Sequence, residues 1–378
     1  MIPVIAAHIT KSPLGCFFFF FLLFTCHLTV AQSQWQDGAF NTRTGQQISE
    51  DQWKELLPKE FDLFQNDEVL EIVLESDFKQ FIRDKDKDQY QEALLHFPLN
   101  DTTVVKRVVR IKPRGEFRKK YCSVPPIKLN FKHIEIYVNS IQQLEKMKMV
   151  SECKNQSNYE EYVLKEYLTY KLYQLFTDLS FKVKLLHLTT IDTGSKKGKT
   201  NRSFAFVIEE ADDLAKRSDM LYLTVKTASP NSIVETNMAM VAVFHYMIGN
   251  TDWSIAGPHN FKLMKEKDFA QDKALAVPYD FDYSGLVNAS YAVPSENLGI
   301  TNVRTRLFRC PCYSKETFIE TLNLFINKKS AVMKTIAGFP HLAESAKKDI
   351  TNFINGFYRQ IENKDGVNFF LKNCGKLL

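Results

Sequence analysis

The apolar residues of this chain change their spacing partway along it, and that change predicts its elements. In the first half they recur at every second position, as on a strand with one buried face. Val69 to Leu74 (VLEIVL) alternates in this way. Asp77 to Asp84 reads as a short helix, and Tyr90 to Phe97 and Val104 to Ile111 read as paired strands. Ile127 to Phe131 (IKLNF) and Met147 to Val150 add two more, so a mostly antiparallel sheet is expected. The period then lengthens. Tyr162, Val163, Tyr167, Leu168, Leu172 and Leu175 fall at helical spacing, which predicts a helix over Tyr159 to Phe176 capped by Asn158. Val183 to Ile191 and Phe204 to Ile208 return to strand around a basic, turn-rich tip at Thr193 to Arg202.

From about Ala211 helical spacing dominates. Ser232 to Ile248 is a long apolar helix with Asn231 or Ser232 as cap, and by its length a buried one. Thr317 to Lys328, Lys334 to Ala337 with Ala343 to Asn355, and Asn355 to Asn363 suggest closing helices. There is no internal repeat. The expected class is α+β: a two-lobed, protein-kinase-like fold with a sheet-rich N-lobe (59–210) and a helical C-lobe (211–378), and with chemistry at their junction.

The N-terminus changes this picture. Lys11 precedes the apolar block Cys16 to Phe24, and Thr29-Val30-Ala31 follows. A charged region, a short apolar core and small residues read as a secretory signal over 1–31, with a loose polar lead-in over 32–58. Cys26 lies where a lipoprotein cysteine could stand, but Phe24 and Thr25 are not the small residues such a site prefers. An exported chain (periplasmic, cell-surface or secreted) with no transmembrane segment after cleavage is expected. Five cysteines then remain, and export allows some to pair. Cys122 with Cys153 is the expected pair, and Cys310 and Cys312, separated only by Pro311, are too close for an ordinary disulfide. No His lies near enough to them for zinc. Asn100, Asn155, Asn201 and Asn288 stand in glycosylation sequons. The net charge of +5 is scattered and argues against nucleic acid. The one dense basic run, Arg110 to Lys120, faces phosphates or is a solvated hairpin.

The candidate chemistry lies between Ile248 and Leu286. Asp252 follows the apolar helix, Asn260 stands in the same loop, and Asp280 and Asp282 flank Phe281 after an apolar run. Each alone is an ordinary turn residue. Their order is the one that phosphoryl transfer uses: a carboxylate to orient the attacking hydroxyl, then an amide oxygen and a carboxylate for the metal that bridges phosphates. Lys128, mid-strand in IKLNF, is the expected phosphate cation, with Lys148 as runner-up. Glu166 would position that lysine, with Glu161 competing for the role. Arg114-Gly115 forms a tight basic turn that could cover phosphates, and Glu209 and Glu210 end the strand FAFVIEE, where a nucleotide base would sit.

At these residues the chain resembles CotH-type atypical kinases. The resemblance runs over roughly 110–286: the Arg114-Gly115 turn, PIKLNF, KEYLTYKLY, VIEEADDL and the order D…HN…PYDFD. The segment GNTDWSIAGPHNFKL…VPYDFDYSG is also similar to the catalytic core of HipA-like kinases. The resemblance implies Asp252 as catalytic residue, Asn260 with Asp280 or Asp282 on magnesium or manganese, Lys128 on the phosphates of ATP, and Glu166 as its partner. It implies a protein or small-molecule hydroxyl as acceptor. The alternative is an inactive kinase-like chain used as a binding or scaffold module, since such folds include inactive members. The gap from Asp252 to Asn260 is longer than in HipA-like chains, and Trp253 replaces their basic or His-containing turn.

Overall fold

Alternation sorts the residues of the first half onto two faces of a sheet, and the sheet closes on itself. The computed structural model describes residues 37–49, 51–52, 55, 63–131, 145–268 and 272–375. The expected leader lies outside them. Nine strands form the main sheet: β1 (Gly38–Asn41), β2 (Gln47–Ile48), β3 (Leu70–Ser76), β4 (Gln91–Asn100), β5 (Thr103–Pro113), β6 (Ile127–Asn130), β7 (Lys146–Ser151), β8 (Val183–Asp192) and β9 (Lys199–Ile208). All pairs are antiparallel except β3 with β8. Closure depends on the long strand β5. One of its edges pairs with β4 along its length, while the other pairs first with β1 at 103–106 and then with β6 at 110–113. The circuit β5-β4-β3-β8-β9-β7-β6 therefore returns to β5 as a seven-stranded barrel.

Alternate residues from all seven strands fill the interior: Ile72, Leu74, Leu95, Ile111, Leu129, Met149, Leu188 and Val207 belong to one buried cluster. The helix α1 (Phe78–Arg83) adds Phe78 and Phe81 to that cluster and is capped by Asp77, whose carboxylate accepts from the Gln80 N–H at 2.7 Å. A short helix, α2 (Phe117–Tyr121), leads from β5 towards β6.

The outward residues Val150, Leu185, Phe206 and Ile208 pack into a second cluster with α3 (Ser157–Tyr173). The remaining helices are α4 (Ala211–Arg217), α5 (Glu235–Ile248), α6 (Lys315–Gly338), α7 (Glu344–Ile361) and α8 (Gly366–Asn373). A three-stranded sheet of β10 (Met220–Leu223), β11 (Phe261–Glu266) and β12 (Leu275–Pro278) joins them. α5 is buried from Met238 to Ile248 and belongs to the same cluster as Phe325, Ile354 and Phe370 of α6 to α8.

This corrects the expected two-lobed, kinase-like fold. The strands form a closed barrel instead of an open N-lobe sheet, and the outer face of the barrel shares one core with the helices expected to form a separate lobe. Alternation shows which residues point inward. It does not show that the last strand finds the first. The loose lead-in is also corrected in part, because β1 and β2 build a hairpin onto β5.

Cys122 and Cys153 form a disulfide as expected, and Cys312 and Cys374 form a second, leaving Cys310 as a buried thiol. Among the described residues no helix is long and apolar enough to cross a membrane.

Candidate active site

α5 ends at Gly249, whose φ of 66° is left-handed and closes the helix by donating to the Tyr246 carbonyl. A side chain there would press on Phe353 and on the Val303 carbonyl, each 3.0 Å from its Cβ. The chain leaves into the loop that carries Asp252. Asn250 orients the loop through its Oδ1, which accepts from the Asp252 N–H at 2.9 Å. Arg309 clamps it by donating to the Thr251 and Trp253 carbonyls at 2.7 and 2.6 Å. The Asp252 carboxylate is partly exposed. One oxygen meets His259 Nε2 at 3.1 Å and the other accepts from Asn260 Nδ2 at 2.9 Å. The hydrogen bond to Asp252 is the main cause that raises the His259 pKa.

Asn260 and Asp280 are twenty positions apart in sequence and adjacent in space. β11 and β12 pair with Phe261 opposite Pro278, and the Tyr279 N–H donates to the Asn260 carbonyl at 2.9 Å. Both are left-handed, with φ of 59° and 64°. Asn and Asp tolerate this conformation better than other residues that carry a side chain, and Asp88, Asp219 and Asn288 adopt it too. The Asp280 N–H donates to the Tyr170 hydroxyl at 2.8 Å. Phe281, fully buried against Tyr170 and Phe244, anchors the turn and sends Asp282 inward.

Asp282 enters a buried charge cluster. Arg118 Nη1 of α2 lies 3.9 Å from both the Asp282 and Glu166 carboxylates, and the Tyr291 hydroxyl donates to Asp282 Oδ2 at 3.1 Å. Arg118 Nη2 donates to the Ser151 carbonyl at 2.8 Å. Burial, then Asp280, push Asp282 up to about 7. Burial, then Asp282 and Asp280, raise Glu166 well above the usual carboxylate range. Burial opposes the Arg118 charge, yet Tyr291, Asp282 and Glu166 outweigh it and hold the guanidinium more firmly protonated than usual. Among the described residues, Glu166 Oε1 is buried without a hydrogen-bond partner. Its cation is Arg118 and not the expected Lys128. Sequence reasoning missed this role, although Arg118 sits in the one dense basic run.

Lys128 lies instead in a row. Strand register sets Lys112 opposite Lys128, and Lys128 opposite Lys148, all on the outer face of the barrel. Like charges directly opposite one another destabilise a sheet. At the end of the row Lys148 pairs with Glu210 at 3.4 Å and lies 5.7 Å from the Tyr279 ring centroid. Burial lowers its pKa, against the pull of Glu210. Lys262 approaches the same ring at 5.2 Å, and Arg114 is close enough to act on Glu166, Lys148 and Tyr279. The expected cations Arg114 and Lys148 thus converge on Tyr279, the residue before Asp280. Glu209 does not join them. Its carboxylate is committed to Arg217, at 2.7 and 3.0 Å, and to the Lys182 N–H. Glu161 pairs with the buried Lys165 one turn along the same helix.

The donors beside Asp252 are hard oxygens of the type magnesium takes. Asn260 spends its Nδ2 on Asp252, which leaves its Oδ1 as the free end. Among the described residues no hydrogen bond or ion pair involves the Asp280 carboxylate, and no three His, Cys, Asp or Glu side chains group as a metal cage. Magnesium at phosphates commonly takes one or two protein ligands and draws the rest from phosphate and water, so the pair fits. No family model matches the chain, and no curated protein is significantly similar to it.

Proposed function

We propose that the chain transfers a phosphoryl group from a nucleoside triphosphate such as ATP to a hydroxyl acceptor, a protein or a small molecule. The observation that carries this reading is the meeting of Asp252, Asn260 and Asp280 at one hairpin end beside converging cations. In the reaction the acceptor oxygen forms a bond to phosphorus as the bond from phosphorus to the leaving nucleotide oxygen breaks. Asp252 orients the acceptor hydroxyl and takes its proton. His259 and Asn260 hold that carboxylate in place, and its remaining lone pairs face the acceptor. Lys148, Arg114 and the lysine row bind the anionic phosphates, and Asp280 with Asn260 Oδ1 would hold magnesium or manganese, which spreads the developing charge when bound. Glu166 and Asp282 position Arg118 behind the site. The two disulfides support export to an oxidising compartment.

A second reading, a catalytically inactive nucleotide-binding module, is favoured by one observation: both Asp252 oxygens already have partners. One experiment separates the two. The purified chain is incubated with γ-labelled ATP and magnesium or manganese, beside Asp252→Asn and Asp280→Asn. Label in protein or in a hydroxyl acceptor, lost in both variants, is the expected result. Nucleotide binding without transfer supports the inactive module. No binding refutes both.

A further inference from the structure

The barrel has a mouth that phosphoryl transfer does not use. Where β8 ends and β9 begins, a cavity of about 240 Å³ opens beside α1. Its floor is apolar, with Phe78, Ile82, Val124, Ile127 and Leu188. Its distinctive polar group is Glu152. That side chain accepts from Asn201 Nδ2 at 2.7 Å, and burial raises its pKa above the ordinary glutamate value. No ion pair reaches it among the described residues, although two lysines share the rim. Lys154 is held over the Tyr121 ring, 4.0 Å from its centroid, and Lys199 is exposed. Asp192, the other acid of the lining, accepts from the Lys79 and Gly194 N–H groups at 3.3 and 3.1 Å.

A half-buried carboxylate without a cation, above an apolar floor, selects for a ligand that brings the cation. Mouths of barrels are recurrent small-molecule sites. An apolar cavity of ~150 Å³ takes a benzene ring, so this one has room for a ring with a short chain. We propose that the barrel mouth binds a small arylalkyl or alkyl amine, with its apolar body on Phe78 and Leu188 and its ammonium on Glu152. The site is separate from the carboxylate cluster and does not depend on the phosphoryl-transfer reading.

The test uses the full, disulfide-intact chain and calorimetric titration with phenethylamine, 2-phenylethanol and 3-phenylpropionate. The amine is expected to bind at least about tenfold more tightly than the alcohol or the carboxylate, as charge-assisted hydrogen bonds allow. Glu152→Gln should remove that preference, and Ile82→Trp should block all three by filling the floor. Saturable binding of the three with equal affinity would mark an unselective apolar hole and overturn the proposal. So would the absence of amine binding, or full amine affinity in Glu152→Gln. Should Glu152→Gln fail to fold, the selectivity of the unmodified chain decides alone.

Discussion

Replacing Asp282 by Asn should make this protein more stable at pH 8 and no more stable at pH 5. In the fold the Asp282 carboxyl is pushed up to about 7 from an ordinary 3.8, and it is buried, so solvent screening does not dilute the effect. A carboxyl whose pKa is raised by folding contributes its stability fully below the unfolded value. That contribution is lost as pH climbs to the folded value. The loss amounts to ~1.4 kcal/mol per pH unit, or up to ~4 kcal/mol across the interval. Glu166 is raised by the same causes and shares the proton, so ~4 kcal/mol is a ceiling. Asn keeps an oxygen for the Tyr291 hydroxyl and leaves Glu166 to Arg118. The assay is urea unfolding followed by tryptophan fluorescence from pH 5 to 8, on both proteins. Half-buried His96, lowered to about 4 by burial, gives both proteins an opposite slope at low pH, so the difference between them isolates Asp282. A variant equally destabilised at every pH would refute the reasoning, because it would mean that Arg118 keeps Asp282 ionised throughout.

Other consequences follow from single contacts. Asn260→Gly should keep stability within ~1 kcal/mol, since glycine accepts φ of 59° freely, yet abolish label transfer; Asn260→Ala should lose both, by thermal melts and transfer assays. Lys128→Thr should stabilise the barrel by ~0.2–1 kcal/mol in urea unfolding, by relieving repulsion from Lys112 and Lys148, while weakening nucleotide binding. Replacing Cys312 and Cys374 by Ser should cost ~4 kcal/mol by the chain-entropy estimate for a 62-residue separation, read as a lower urea midpoint.

Much of the secondary structure was legible because it follows period. The β3 to β8 strands lie within a few residues of the alternating stretches, β9 begins earlier than expected, at Lys199 within the stretch read as a tip, and α3 lies where Val163, Tyr167 and Leu172 set a helical face. Two things were not legible. Closure depends on β5 changing partners from β1 to β6, and no local pattern encodes which edge a strand meets. The sheet of β10 to β12 was missed because Phe261–Glu266 and Leu275–Pro278 are short apolar runs that periodicity alone does not assign. In the candidate site, Asp252, Asn260 and Asp280 are singled out by their order along the chain, and the hairpin brings them together. Arg118 escaped because a basic run gives no sign of which member turns inward. The Lys128–Glu166 pairing failed because strand register points Lys128 at two other lysines. The second disulfide was not foreseen: nothing in the sequence brings Cys374 to Cys312, and the packing of α8 against α6 does.

Two parts of the site oppose folding, and together they identify what should relieve them. The lysine row sets cations against one another in register, while Glu166, Asp280 and Asp282 repel one another. A polyphosphate alone neutralises the row and adds negative charge beside the acids. A bare divalent cation neutralises the acids and adds positive charge beside the row. A nucleoside triphosphate with its metal answers both at once. Binding to the native state stabilises by ~2.7 kcal/mol at a hundredfold excess over Kd, so a thermal melt reads the difference. Magnesium with ATP should raise the melting temperature by more than the separate shifts from magnesium and from tripolyphosphate combined. Asp280→Asn should remove that excess and leave the tripolyphosphate shift intact. Shifts that merely add would show that the row and the acids do not share a ligand, and the phosphoryl-transfer reading would lose its physical basis.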